Sequence, residues 1–248
     1  THRRSSAASD VYKRQHTKLF SEERERPTLL VVDQSHSMGF GTRSCFKSVQ
    51  AAEFAALLGW ASLQNHDRVG GLIVNDYEHS EIRPKNSRKT LLNFFSVLTG
   101  YNQKLIASRT GTELSQSHQW KSKPASERAM NTGQNSDKPS PFQTIAAELQ
   151  RIVRPGTDIF IISDFSAIEQ QSLDVLHQIG KHSDLTAIQI NDPMEASLPK
   201  SRKAWFTNGA KRLQIDLQNP RLRKRYAENA MSLQSRLASQ LSLSLIHI

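Results

Sequence analysis

The chain has a single cysteine in 248 residues, few aromatic residues (7%) and no apolar run approaching the length needed to span a bilayer. Lone Cys45 leaves no internal disulfide, so a soluble protein in a reducing, cytoplasmic setting is expected. Acid is scarce beside base, with 23 Asp and Glu against 33 Lys and Arg and a formal net charge of +10. Such an excess favours nucleic acid or acidic partners. The basic residues are nevertheless scattered among acids, as in Ser21-Glu22-Glu23-Arg24-Glu25-Arg26, with no interleaved aromatic stripe of the kind that binds single strands. Nucleic acid is therefore the weaker expectation. No Walker A phosphate loop occurs, and Gly39-Phe40-Gly41 lacks both the third glycine and the immediate post-strand position of a dinucleotide fingerprint. ATP hydrolysis, where the function needs it, belongs to a partner.

What the chain does have is strands alternating with helices. Leu29-Leu30-Val31-Val32 is a run of four aliphatic residues, the pattern of a strand buried on both faces, and such strands occur in parallel sheets covered by helices. Asp33 ends it. Residues 47 to 64 carry apolar and alanine residues at helical spacing, among them Val49, Ala52, Ala55, Ala56, Leu58 and Leu63, and the alanines permit close approach to a sheet. Arg68 to Asn75 reads as the second strand, with Asp76-Tyr77-Glu78 turning into an antiparallel partner that stops at Pro84. A helix carrying Leu91, Leu92, Phe95 and Leu98 is expected to stop near Gly100. Ala107 to Pro141 is poor in apolar residues and reads as a mobile insertion. A helix over 142–153, a strand over 158–164, a helix over about 168–182 and a strand over 185–190 follow. Lys203 to Leu217 alternates around Asn208-Gly209, a hairpin signal, and a long amphipathic helix begins near Pro220. The fold class expected is α/β, a doubly wound, mostly parallel sheet with helices on both faces.

Asp33, Ser35 and Ser37 place one carboxylate and two hydroxyls at every second position beyond the first strand. These are hard oxygen donors, suited to magnesium or manganese better than to zinc. Asp33-Gln34-Ser35-His36-Ser37 resembles the Asp-x-Ser-x-Ser signature of the metal-ion-dependent adhesion site in von Willebrand factor A domains. Its flanks narrow the likeness: Ser-Met-Gly-Phe-Gly-Thr, Lys47-Ser48-Val49-Gln50-Ala51-Ala52, Asp67-Arg68-Val69-Gly70-Gly71 and Ser163-Asp164-Phe165 together resemble the bacterial domain-of-unknown-function family fifty-eight. The resemblance covers about residues 16 to 241. It implies a von Willebrand factor A-like fold in which Ser35 and Ser37 donate directly to Mg2+ or Mn2+, while Asp33 and Asp164 act largely through water. It also implies association with AAA-type ATPases of the MoxR kind. The family pattern adds a threonine before the helix that precedes the fourth strand. No Gly-Gly-Thr occurs here; Thr144 is the candidate and Ser140 the alternative, and either residue type also serves as a helix cap.

The enzyme readings are weaker. A strand ending in aspartate also resembles the haloacid dehalogenase phosphatases, but Ser35 stands where their second carboxyl would be, and a hydroxyl cannot replace it as a proton donor near neutral pH. Ser35-His36-Ser37-Met38-Gly39 lacks the first glycine of a nucleophile elbow. The expectation is a metal-dependent protein-interaction module and not an enzyme, with a metal-free scaffold as the alternative. The ends read differently from the rest: Ser5 to Gln15 and Leu243 to Ile248 resemble translated library-adapter sequence, so residues 1–15 and 243–248 are expected to lie outside the fold. Arg3, Arg4, Lys13 and Arg14 against Asp10 carry +3 of the formal charge.

Overall fold

The computed structural model describes residues 26–42, 44–110, 139–200, 203–207 and 212–243. Five strands, β1 (Pro27–Asp33), β2 (Arg68–Val74), β3 (His79–Lys85), β4 (Asp158–Ser163) and β5 (Asp184–Gln189), form one sheet in the order β3-β2-β1-β4-β5. β1, β2, β4 and β5 run parallel, and β3 closes one edge antiparallel to β2. This is a doubly wound α/β arrangement, with helices on both faces of the sheet.

β1 lies at the centre, and its aliphatic run divides by alternation. Leu29 and Val31 face one side, packing with Leu149, Ile159 and Ile161, while Leu30 and Val32 face the other with Ala51, Ile73 and Phe94. A strand covered on both faces has no solvated side, which is why the run shows no polar alternation. One face carries α1 (Lys47–Gln64) and α2 (Arg88–Thr110); the other carries α3 (Pro141–Ile152) and α4 (Gln170–Gly180). The short helix α5 (Pro193–Ala196) follows β5. A hairpin of β6 (Lys203–Thr207) and β7 (Arg212–Asp216) precedes the long α6 (Pro220–Leu243), whose Leu241 is buried in the core on the α3 side.

Several expectations change in detail. α2 does not stop near Gly100 but continues to Thr110, because Tyr101 and Leu105 extend the buried stripe of Leu91, Phe94 and Leu98 at helical spacing. Packing of that stripe outweighs the roughly 1 kcal/mol that a mid-helix glycine costs. Residues 107–110 are therefore helix and Pro141 opens α3, while 111–138, the middle of the expected insertion, lie outside the described residues. Phe94, not Phe95, is the fully buried ring of α2, and Leu92 is exposed. β3 runs through Pro84 to Lys85, with a register shift opposite Val69 to Gly71. An edge strand tolerates proline at such an irregularity because no ladder bond is forfeited. The two strands of the expected hairpin pair, and Asn208-Gly209 lies outside the described residues, as do residues 1–15 and 244–248.

The buried face of α1 is made of Ser48, Ala51, Ala55 and Gly59. A similar close approach occurs at Gly71 of β2, where an added Cβ would lie 2.2 Å from Cε2 of Phe94. Gly71→Ala should therefore force the Phe94 ring off its packing and cost about 1–3 kcal/mol. A fall in the urea midpoint at unchanged slope would register it, and an unchanged midpoint would show that the ring can yield.

Candidate metal centre

The strand order reverses between β1 and β4, so their carboxyl ends border the crevice where open α/β sheets bind ligands. Register brings the polar groups together there. Val32 pairs with Ile162, which sets Asp33 beside Ser163. The Ser163 hydroxyl donates to Asp33 Oδ2 at 2.6 Å, and the Ser35 N–H donates to Asp33 Oδ1 at 2.8 Å. Asp33 is only 1% exposed. Burial is the largest influence on its carboxyl and pushes it up to about 6; the bonds from Ser163 and Ser35 oppose this, and neighbouring Asp164 adds to the rise.

Asp164 behaves in the opposite way. Its Oδ2 accepts from the Lys47 ammonium at 2.7 Å and its Oδ1 from the Ser166 N–H at 2.9 Å. Burial again works to raise it, but the Lys47 charge and hydrogen bond outweigh that and hold Asp164 below the usual carboxylate range. Lys47, the first residue of α1, is 2% exposed and also donates to Glu195 Oε1 at 2.6 Å. Desolvation works to lower its pKa, yet the two acids prevail and raise it. Next to Asp164, Phe165 adopts φ 55°, in the left-handed region that a bulky residue rarely enters. Its ring is held 5.5 Å from Phe142 at the start of α3.

Ser35 and Ser37 lie side by side. Their hydroxyl oxygens lie 3.2 Å apart, around a short 3₁₀ turn, His36–Gly39. Magnesium bonds its ligands at about 2.0–2.1 Å in an octahedron, which puts neighbouring ligand oxygens roughly 3 Å apart. The hydroxyl pair fits one edge of that octahedron. Among the described residues no three His, Cys, Asp or Glu side chains are placed to hold a metal ion, so a cation here would depend on hydroxyls and water as well as the two aspartates. Each oxygen of Asp33 and Asp164 already accepts a protein donor, which suits water-mediated contact with an ion.

The two alternatives for the further ligand fare differently. Ser140 is the N-cap of α3, accepting from the Gln143 N–H at 3.2 Å, while Gln143 Oε1 accepts in return from the Ser140 N–H at 3.0 Å. Its hydroxyl is thus engaged in a capping box. Thr144 lies in the first turn of α3, with no hydrogen bond from its hydroxyl to Asp33, Ser35 or Asp164. The sequence pattern assigns no role to Lys47, Ser163, Asp192 or Glu195. Asp192 accepts from the Thr42 N–H at 2.8 Å and from its hydroxyl at 2.6 Å, and forms a second capping box with Glu195. Asp192-Pro193-Met194-Glu195 is a legible capping signature. Nothing in the spacing of α1 marks Lys47 as buried.

The raised Asp33 carboxyl predicts a pH dependence. With a folded value of about 6 against 3.8 unfolded, its contribution is full below pH 3.8 and is lost as pH rises through 6, amounting to about 3 kcal/mol. In chelator, stability of the natural chain relative to Asp33→Asn should therefore fall between about pH 4 and 6. Parallel urea curves across that range would show that ionising Asp33 carries no such cost.

No curated protein matches the chain. Among solved structures, the conserved hypothetical protein BatB from Bacteroides thetaiotaomicron is similar at 13% identity, covering 88% of this chain and 98% of that one, with a TM-score of 0.47. A family model described as protein of unknown function DUF58 matches residues 7–236. With the model spanning nearly its whole length, the chain belongs to the DUF58 family.

Proposed function

We propose that the chain is a protein-interaction module that holds Mg2+ or Mn2+ at the carboxyl edge of its sheet and uses the ion to capture an acidic side chain of a partner protein. The observation that carries this reading is the Ser35–Ser37 hydroxyl pair at 3.2 Å, at the carboxyl edge of the sheet where Asp33 ends β1 and Asp164 follows β4. Ser35 and Ser37 would hold the ion directly, with Thr144 as the candidate for a further oxygen and Asp33 and Asp164 acting through water. When bound, the ion would supply an electrophilic position for an incoming Asp or Glu. The chain's part is to keep that position poorly neutralised. Lys47 already compensates Asp164, so that carboxylate is not left as an unshielded charge facing the ion.

A MoxR-like AAA ATPase is the partner we favour, from the association that the family resemblance implies. Basic residues at the start of α6, such as Arg221, Arg223 and Lys224, would steer an acidic partner and change on-rate and salt dependence more than specificity. The cytoplasmic placement rests on lone, unpaired Cys45; no helix among the described residues is long and apolar enough to cross a membrane. The module reading assigns no catalytic residue.

One observation favours a second reading, a metal-free scaffold. The Lys47 ammonium supplies Asp164 with a cation from the chain itself at 2.7 Å. Calorimetry separates the two: Mg2+ should bind the natural chain, Ser35→Ala and Ser37→Ala should each weaken it about tenfold or more, and Asp33→Ala should abolish it. Capture of the MoxR-like ATPase should follow the same order and vanish with chelator. Metal-independent capture would leave the scaffold reading in place.

A further inference from the structure

The amino edge of the sheet, away from the aspartates and serines, carries a second concavity. α3 ends at Ile152 and the chain turns away through Val153 and Arg154 towards β4, leaving the start of β2 and the end of β3 uncovered on that side. The space is an open cavity of about 460 Å³, with Leu29 and neighbouring apolar side chains in its wall. Arg68, Arg83, Arg151 and Arg154 also line it, and Glu81 is the acid among them.

These arginines are not equivalent. Arg151 donates to Glu148 from Nε at 2.9 Å and from Nη2 at 2.7 Å, and Nη2 also bonds Glu81 across to β3. The two carboxylates fix that guanidinium and use up the acid of the cavity. Arg83 on edge strand β3 and Arg154 beyond α3 are exposed, and neither forms an ion pair with a carboxylate among the described residues. Among the described residues, no carboxylate compensates their positive charge. The backbone behind Arg154 is fixed, because its carbonyl accepts from the Thr157 hydroxyl at 2.7 Å and from the Ser183 hydroxyl at 3.4 Å. Planar guanidinium forks match the paired oxygens of phosphates and carboxylates, and the volume lies within the range of small-ligand sites, roughly 300–1,000 Å³.

We propose that this amino-edge cavity binds a small multivalent oxyanion through Arg83 and Arg154. The shared chemistry is two or more anionic oxygen groups on one small molecule, drawn from either the phosphate or the polycarboxylate class. The site is independent of the metal centre, since it lies at the other end of the strands and uses none of its residues.

Calorimetric titration of the full chain with pyrophosphate and, separately, with citrate, in metal-free buffer at constant ionic strength, tests it. At least one anion should bind with a sub-millimolar Kd. Arg83→Gln combined with Arg154→Gln should weaken binding tenfold or more, while Arg88→Gln combined with Lys89→Gln, the same loss of charge on α2, should leave it within twofold. Tighter pyrophosphate binding would assign a phosphate ligand and tighter citrate binding a polycarboxylate; comparable affinities would place recognition in the shared charge. Thermal melts confirm that both double variants fold. Absence of sub-millimolar binding by either anion, or equal weakening by the two double variants, would overturn the proposal.

Discussion

The ammonium of Lys47 is out of reach of water and is satisfied by two carboxylates, Asp164 at 2.7 Å and Glu195 at 2.6 Å. Through those bonds one side chain joins the first turn of α1, the residue after β4 and the short helix after β5. Removing one member of such a buried cluster strands the others without compensation, at a cost of about 3–5 kcal/mol. Thr42 and Asp192 add a second tie between the same loops, so the chain between β1 and α1 is pinned at both its hydroxyl and its ammonium. The arrangement of the carboxyl edge rests on this pinning together with Met38 and Phe165, which anchor the loops in the two cores.

Lys47 also distinguishes the two aspartates. Both are buried, and burial alone would raise both. Asp164 has a cation within hydrogen-bonding distance and is held ionised, whereas Asp33 has only hydroxyl and amide donors and rises to about 6. The two acids of one crevice thus differ in what a bound cation would gain from them. Asp33 is the one whose ionisation an ion would favour, and Asp164 is already ionised by the chain's own charge.

The two ends of the sheet differ in chemistry. At the carboxyl edge acids and hydroxyls gather round the switch between β1 and β4, while at the amino edge guanidiniums surround the gap that α3 leaves open. A central strand buried on both faces can carry polar side chains only where it emerges, so the functional chemistry of this fold is pushed to its two rims.

Much of this was legible in the sequence. The aliphatic run of β1 announced a doubly covered strand, the alternation of strands and helices announced the sheet, and Asp-x-Ser-x-Ser placed two hydroxyls that do meet at 3.2 Å. These are local matters, set by side-chain period and by neighbours two residues apart. Where the sequence reading fell short, partners distant along the chain decided. α2 passes through Gly100 because Tyr101 and Leu105 have a core to enter. Ser163 bonds Asp33 across 130 positions and Lys47 bonds Asp164 across 117. A lysine at a helix start reads as solvated in any linear pattern; only the packing of α1 against the sheet removes its water and obliges it to find acids.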